Sequence, residues 1–236
     1  GADQETIQWD FGNETLATGS VATALYEGEV GADASYTVSL AVMSENGCAD
    51  QSSFDITVHA APLTGLSIAT DASCAETEVL VSNASAFADS VVLNLGNGSI
   101  WINSELANIP VTYSNGSASD SIILLTQEVF TDFGCVATAT VAHTVHPKVT
   151  AAIETPEATC TPALVQLGNN SINANGNTLW LFGDGSISNN SAPEHLFSSE
   201  STLDTTYAVT LVAQSTAGCS DTRRLTWSFG ELHRLN

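Results

Sequence analysis

The chain has 236 residues, with 4 Lys and Arg against 26 Asp and Glu, for a formal net charge of −22. So acidic a chain repels phosphate backbones, which excludes nucleic acid as a partner. With 43% hydrophobic residues it can fill a core, yet it has no run of 18 apolar residues to span a membrane.

In chain order, the same short element occurs three times. A strand enters a glycine turn at Trp9-Asp10-Phe11-Gly12-Asn13, at Leu93-Asn94-Leu95-Gly96-Asn97, and at Trp180-Leu181-Phe182-Gly183-Asp184-Gly185. Downstream of each lies a Gly-Cys pair: Gly47-Cys48, Gly134-Cys135 and Gly218-Cys219. The turn glycines are spaced 96 − 12 = 84 and 183 − 96 = 87 residues apart, the cysteines 135 − 48 = 87 and 219 − 135 = 84. A fixed period of this size denotes an array of small domains rather than one enzyme fold.

The period divides the chain into a unit over 1–61 that lacks opening strands, a second over 62–147, and a third over 148–236 with an atypical C-terminal tail. The junctions Ala60-Ala61-Pro62 and His146-Pro147-Lys148 are short and contain proline, which predicts stiff connections. Because Gly1 falls inside a repeat, the chain reads as a processed or excerpted segment of a longer protein.

Within units the hydrophobic period is two. Tyr36-Thr37-Val38-Ser39-Leu40-Ala41-Val42 and Tyr207-Ala208-Val209-Thr210-Leu211-Val212-Ala213 alternate as half-buried strands do. Asn-Gly and Asp-Gly steps such as Asn115-Gly116 and Asp184-Gly185 supply tight turns between them. About seven short strands per unit read as an all-β sandwich.

Cysteines occupy matching places in the second and third units. Cys74 and Cys135 lie near the start and end of one, Cys160 and Cys219 near the start and end of the other. This predicts one bridge inside each unit, worth ~4 kcal/mol by chain entropy, in an oxidising compartment outside the cell. Cys48 is left unpaired, either because its partner precedes Gly1 or because it bonds another molecule.

These residues resemble the PKD domain, an immunoglobulin-like β-sandwich. Its W-D-F-G-D-G turn is matched at Trp9–Asn13 and Leu179–Gly185, and its P-x-H-x-Y segment at Pro193-Glu194-His195-Leu196-Phe197. Its Y-x-V-x-L strand is matched at Tyr36–Leu40 and Tyr207–Leu211, and its late N-x-G-C at Glu45-Asn46-Gly47-Cys48. The second unit departs from this pattern, with Leu93 for the Trp and Asn94 for the Asp, and is a degenerate copy.

The resemblance implies tandem immunoglobulin-like sandwiches, as in large surface proteins and adhesins of gliding bacteria. It also implies O-glycan acceptors at Ser90, Ser121 and Thr205, each following an Asp. Asp10, Asn13 and Asp184 flank the turns, where a short polar side chain either caps backbone N–H groups or helps hold calcium. Trp9 and Trp180 are expected in the core, whereas Trp101 and Trp227 are left as candidates for ligand stacking.

No nucleophile elbow, zinc-protease helix or phosphate loop is present, and Asp132-Phe133-Gly134 reads as a hairpin turn before Cys135. The sequence therefore predicts a non-enzymatic segment of a secreted fibre, stalk or adhesin. Its expected partners are copies of itself or neighbouring repeats, with surface glycans or proteins as further partners. Assembly by strand complementation is one expectation, with Leu225–Leu235 as a donor strand. The competing expectation is a binding or spacer module beside a secreted hydrolase.

Overall fold

A computed structural model describes residues 6–28, 30–102, 107–154, 162–198 and 205–229. Every regular element among them is a β-strand. Segment 1–61 contributes β1 (Thr6–Asp10), β2 (Leu16–Thr18), β3 (Ala34–Met43) and β4 (Ala49–Val58). They form one antiparallel sheet in the order β2-β1-β3-β4.

Segment 62–147 contributes β5 (Leu66–Ile68), β6 (Ala72–Cys74), β7 (Glu78–Asn83), β8 (Ser90–Asn94), β9 (Ile100–Ile102), β10 (Ala107–Thr112), β11 (Ser121–Phe130) and β12 (Val136–His146). These make two sheets, β10-β7-β5 and β6-β12-β11-β8-β9. The final segment adds β13 (Ile153–Glu154), β14 (Ala163–Gln166), β15 (Gly168–Asn169), β16 (Thr178–Leu181), β17 (Ile187–Ser188), β18 (Glu194–Phe197), β19 (Thr205–Gln214) and β20 (Ser220–Phe229). Here the pairs β13-β15 and β14-β18 accompany the sheet β17-β16-β19-β20.

The recurrent four-stranded set is β2-β1-β3-β4, β9-β8-β11-β12 and β17-β16-β19-β20. In the second segment a separate small sheet of β5, β7 and β10 accompanies it, and in the third the two pairs β13-β15 and β14-β18 do, as in an immunoglobulin-like sandwich. Packing groups the chain into two compact units that cut across the sequence repeats. One comprises Gly1–Ala69, Leu80–Val111 and Leu124–Ala142, the other Thr70–Val79, Thr112–Ile123 and His143–Asn236.

In the second compact unit the alternation of β19 puts Tyr207, Val209, Leu211 and Ala213 on the buried face. Trp180, paired with Leu211, and Phe197 are both completely buried at the centre of this cluster. In the first unit, Val81, Val91, Leu93, Leu125 and Val129 are fully buried. The β1–β4 sheet behaves differently: Val38 and Phe11 are buried, but Trp9 and Leu40 are only half-buried. Val21, Leu25 and Phe54 stay 83%, 80% and 56% exposed.

The candidate donor strand is corrected. Leu225–Phe229 already belong to β20 and pair with Thr205–Val209 of β19, so they are not available to another sheet. Residues 230–235 of that tail lie outside the described residues.

Candidate assembly junction

Each long hairpin of the three repeats ends in the same turn. In the first, the Gly47 N–H donates to Ser44 O and the Ser44 N–H to Cys48 O. The second repeats this with Gly134, Thr131 and Cys135, the third with Gly218, Ser215 and Cys219. Each cysteine N–H then donates to the hydroxyl four residues earlier, Ser44, Thr131 or Ser215, at 3.1–3.2 Å. The glycines have φ of 81°, 84° and 87°, a left-handed conformation that a β-carbon disfavours. The three cysteines are therefore carried on closely similar backbone.

Only one of these hairpins is bridged. Cys219 is joined to Cys74, with Cα atoms 5.6 Å apart and 145 residues of chain between them. Cys135 and Cys48 are free thiols, the first half-buried and the second exposed. This corrects the expected pairing of Cys74 with Cys135. β6 runs parallel to the last residues of β12, placing Cys74 opposite His146, whereas Cys135 precedes the first residue of that strand. The 11 residues of β12 span roughly 35 Å, far beyond the reach of a disulfide. Cys160 lies outside the described residues, so its expected bond to Cys219 is overturned from Cys219's side alone.

The opening strand that brings Cys74 to this place is fixed by backbone bonds. Thr144 N–H donates to Asp71 O, Ala75 N–H to His146 O, and Glu76 N–H to Tyr113 O. Beneath it, His143 is fully buried. Its Nδ1 donates to the Thr70 carbonyl at 3.0 Å, which leaves Nε2 to accept from the Ser73 hydroxyl at 2.8 Å. His146 beside it donates from Nδ1 to Asp120 at 2.9 Å, and Lys148 pairs with Glu76 at 2.7 Å.

The first compact unit holds an equivalent of the His146–Asp120 pair. His59, just past β4, donates from Nδ1 to Asp33 at 2.9 Å. Asp33 is held below the usual carboxylate range mainly by the Ala60 N–H, then by His59. The Phe133 ring, in the hairpin that carries Cys135, stacks on the His59 ring with centroids 3.4 Å apart. Neither His–Asp pair was anticipated. The signal was in the sequence, since 146 − 59 = 87 and 120 − 33 = 87, the repeat offset itself.

The turn residues are engaged by their own turns. Asp10 Oδ1 accepts from the Gly12 N–H at 2.9 Å, and Asn13 Oδ1 accepts from the Thr15 N–H at 3.2 Å and from the Thr15 hydroxyl. Asp184 accepts from the N–H and hydroxyl of Ser186 and from His195 Nε2 at 2.7 Å, while the His195 ring lies flat on Phe182. Burial works against the Asp184 carboxylate, but these bonds prevail and hold its pKa at about 2. Among the described residues no three His, Cys, Asp or Glu are grouped to hold a metal ion.

Ser90 is exposed at the start of β8, whereas Ser121 and Thr205 are half-buried at the starts of β11 and β19. The preceding acids differ: Asp89 accepts from the Asp132 N–H, Asp120 pairs with His146, and Asp204 lies outside the described residues. Trp227 packs edge-on against Phe197 at 6.1 Å, which assigns it to the core. Trp101 is half-buried on β9, at the edge of its sheet.

The sequence matches no protein-family model and no curated protein. Solved structures with similar chains include a Ca²⁺-stabilised adhesin of an Antarctic bacterium, at 15% identity and TM-score 0.39, covering 98% of this chain and 66% of that one. A 1.5-MDa bacterial ice-binding adhesin aligns at 13% identity and TM-score 0.37, covering 96% and 86%. Drosophila N-cadherin domains EC1–4 align at 13% identity and TM-score 0.34, covering 99% and 67%. The strand order described above, rather than these alignments, defines the class: an all-β chain of tandem immunoglobulin-like β-sandwiches, the first represented by a single sheet.

Proposed function

We propose that this chain is a non-enzymatic, load-bearing segment of an extracellular bacterial fibre, stalk or adhesin, built of PKD-like repeats over 1–61, 62–147 and 148–236. The observation that carries the reading is the Cys74–Cys219 bond, which ties the opening strand of one repeat to the late hairpin of the next. A covalent tie between successive repeats limits how far pulling can lengthen the chain. A disulfide also favours an oxidising compartment. No helix among the described residues is long and apolar enough to cross a membrane.

Assembly by strand complementation is part of this reading. The exposed Val21, Leu25 and Phe54 on the β1–β4 segment support it. So does the place of β4 at the edge of its sheet, where backbone groups invite a further strand.

Single-molecule stretching from the two termini tests the mechanical role. The bond closes off 145 residues, so the reduced chain should extend about 50 nm further than the oxidised chain. Equal extensions in both states would remove the reading, because no tie would then bear load.

A further inference from the structure

The two compact units contain the same docking position, and the described residues fill it in one of them. In the filled copy, the Asp71–Glu76 segment lies along the end of β12 through bonds to Thr144, His146 and Tyr113, and its cysteine reaches the hairpin of Cys219. Subtracting the repeat offset of 146 − 59 = 87 turns Thr144, His146 and Tyr113 into Thr57, His59 and Tyr26, the same residue types in each case. Asp120, which orients His146, becomes Asp33, which orients His59.

The receiving hairpin is also in place. Cys135 sits in the same hydroxyl-clamped turn as Cys219, and Phe133 of that turn is stacked on His59. Thus the Cys135 hairpin is already packed at the end of β4, as the Cys219 hairpin is joined to the strand at the end of β12. β4 is the edge of its sheet, with β3 as its described neighbour.

We infer that the edge of β4 at Thr57–His59 is a strand-docking site with a covalent latch. Its occupant is an extended segment of the Asp71–Glu76 type that runs parallel to β4. The occupant's cysteine falls opposite His59 and bonds Cys135. This deepens the complementation reading and rests on it: the donor is a cysteine-bearing opening segment, and the bond register is that of Cys74–Cys219, opening cysteine to the late cysteine of the following repeat. In the latching step two thiols lose two protons and two electrons to a disulfide oxidant. With oxidised glutathione, the products are the new disulfide and two molecules of reduced glutathione.

Cys48 supplies an internal control, because it has the same turn and no closing strand precedes it among the described residues. The full chain is incubated in a glutathione redox buffer with a peptide of sequence Thr-Asp-Ala-Ser-Cys-Ala-Glu-Thr, copied from residues 70–77, or with a scrambled peptide of identical composition. Free thiols are then alkylated, and mixed disulfides at each cysteine are quantified by mass spectrometry of unreduced digests. The expected result is a native-to-scrambled ratio of roughly tenfold or more at Cys135, against a ratio near one at Cys48. Cys135→Ser should abolish selective capture and leave the unselective mixed disulfide at Cys48 unchanged.

Equal ratios at the two cysteines, or no capture at Cys135, would overturn the docking site. Either result would leave the stretching difference between oxidised and reduced chain intact, so failure here is distinct from failure of the mechanical reading.

Discussion

Cys74 and Cys219 form a disulfide between residues whose sequence separation is 145, with Cα atoms 5.6 Å apart. Closing a loop that long should stabilise the fold by about 2–5 kcal/mol. Cys74→Ser and Cys219→Ser should therefore lower the urea midpoint by the same amount, and the double variant by no more than either. Reductant should shift the parent chain to the same midpoint and leave the variants where they are. Unequal single effects would place the stabilisation in packing around one sulfur rather than in the link.

The glycine turn before β17 makes a sharper comparison, because two neighbouring glycines share φ but not surroundings. Gly183 has φ +88°, and a β-carbon there would lie 2.7 Å from the Ala208 nitrogen. Gly185 has φ +94° with open space beside it. Gly185→Ala should cost about 1–2 kcal/mol from backbone conformation alone. Gly183→Ala adds a collision with a central strand and should cost about 2–5 kcal/mol. Chemical denaturation of the two variants reads the difference directly.

The all-β class and the long strands were legible because period-two patterning and glycine turns are local signals. Tyr36–Val42 and Tyr207–Ala213 lie in β3 and β19. The disulfide partner was not legible, for a reason built into repetition. In a translational array, pairing an opening cysteine with the late cysteine of its own repeat or of the next gives equally regular spacing. Only the direction of β6, parallel to the far end of β12, distinguishes the two. The His–Asp pairs were hidden differently. Asp33 and His59 are 26 residues apart and meet only when the hairpin β3–β4 is closed in register. The turn residues showed the opposite case: Asp10 and Asn13 cap their own turn through neighbours two residues away.

Gln127 in β11 is fully buried on an otherwise apolar face between Leu125 and Val129. Its Oε1 accepts from the Gly65 N–H at 2.9 Å, and its Nε2 donates to Asn83 Oδ1 at 2.7 Å. Gln127→Leu keeps the volume but leaves the Gly65 N–H without this acceptor, so it should destabilise by about 1–3 kcal/mol. Substituting the exposed neighbour Glu128→Gln should stay within about 0.5 kcal/mol. Amide exchange at Gly65 should also accelerate in the Gln127 variant, and unchanged exchange would mean that another acceptor takes over.

Asp184 provides the acid limit of the third repeat. Its carboxylate resists burial's upward push through the Ser186 hydroxyl, the Ser186 N–H and His195, ending at about 2, against 3.8 for an unperturbed group. A depressed pKa means that the folded state binds its proton later than the unfolded state does. The stabilisation is thus fully present above about pH 4 and is lost as pH falls toward 2. Many other carboxylates titrate in the same interval, so the informative quantity is the difference between the parent chain and Asp184→Asn. Above pH 4 the variant should be the less stable, because it lacks the charge that His195 faces across 2.7 Å. The gap should close steadily between pH 4 and pH 2 as the parent carboxylate takes up its proton. Parallel curves across that interval would show that the carboxylate's charge adds nothing to the turn beyond its hydrogen bonds.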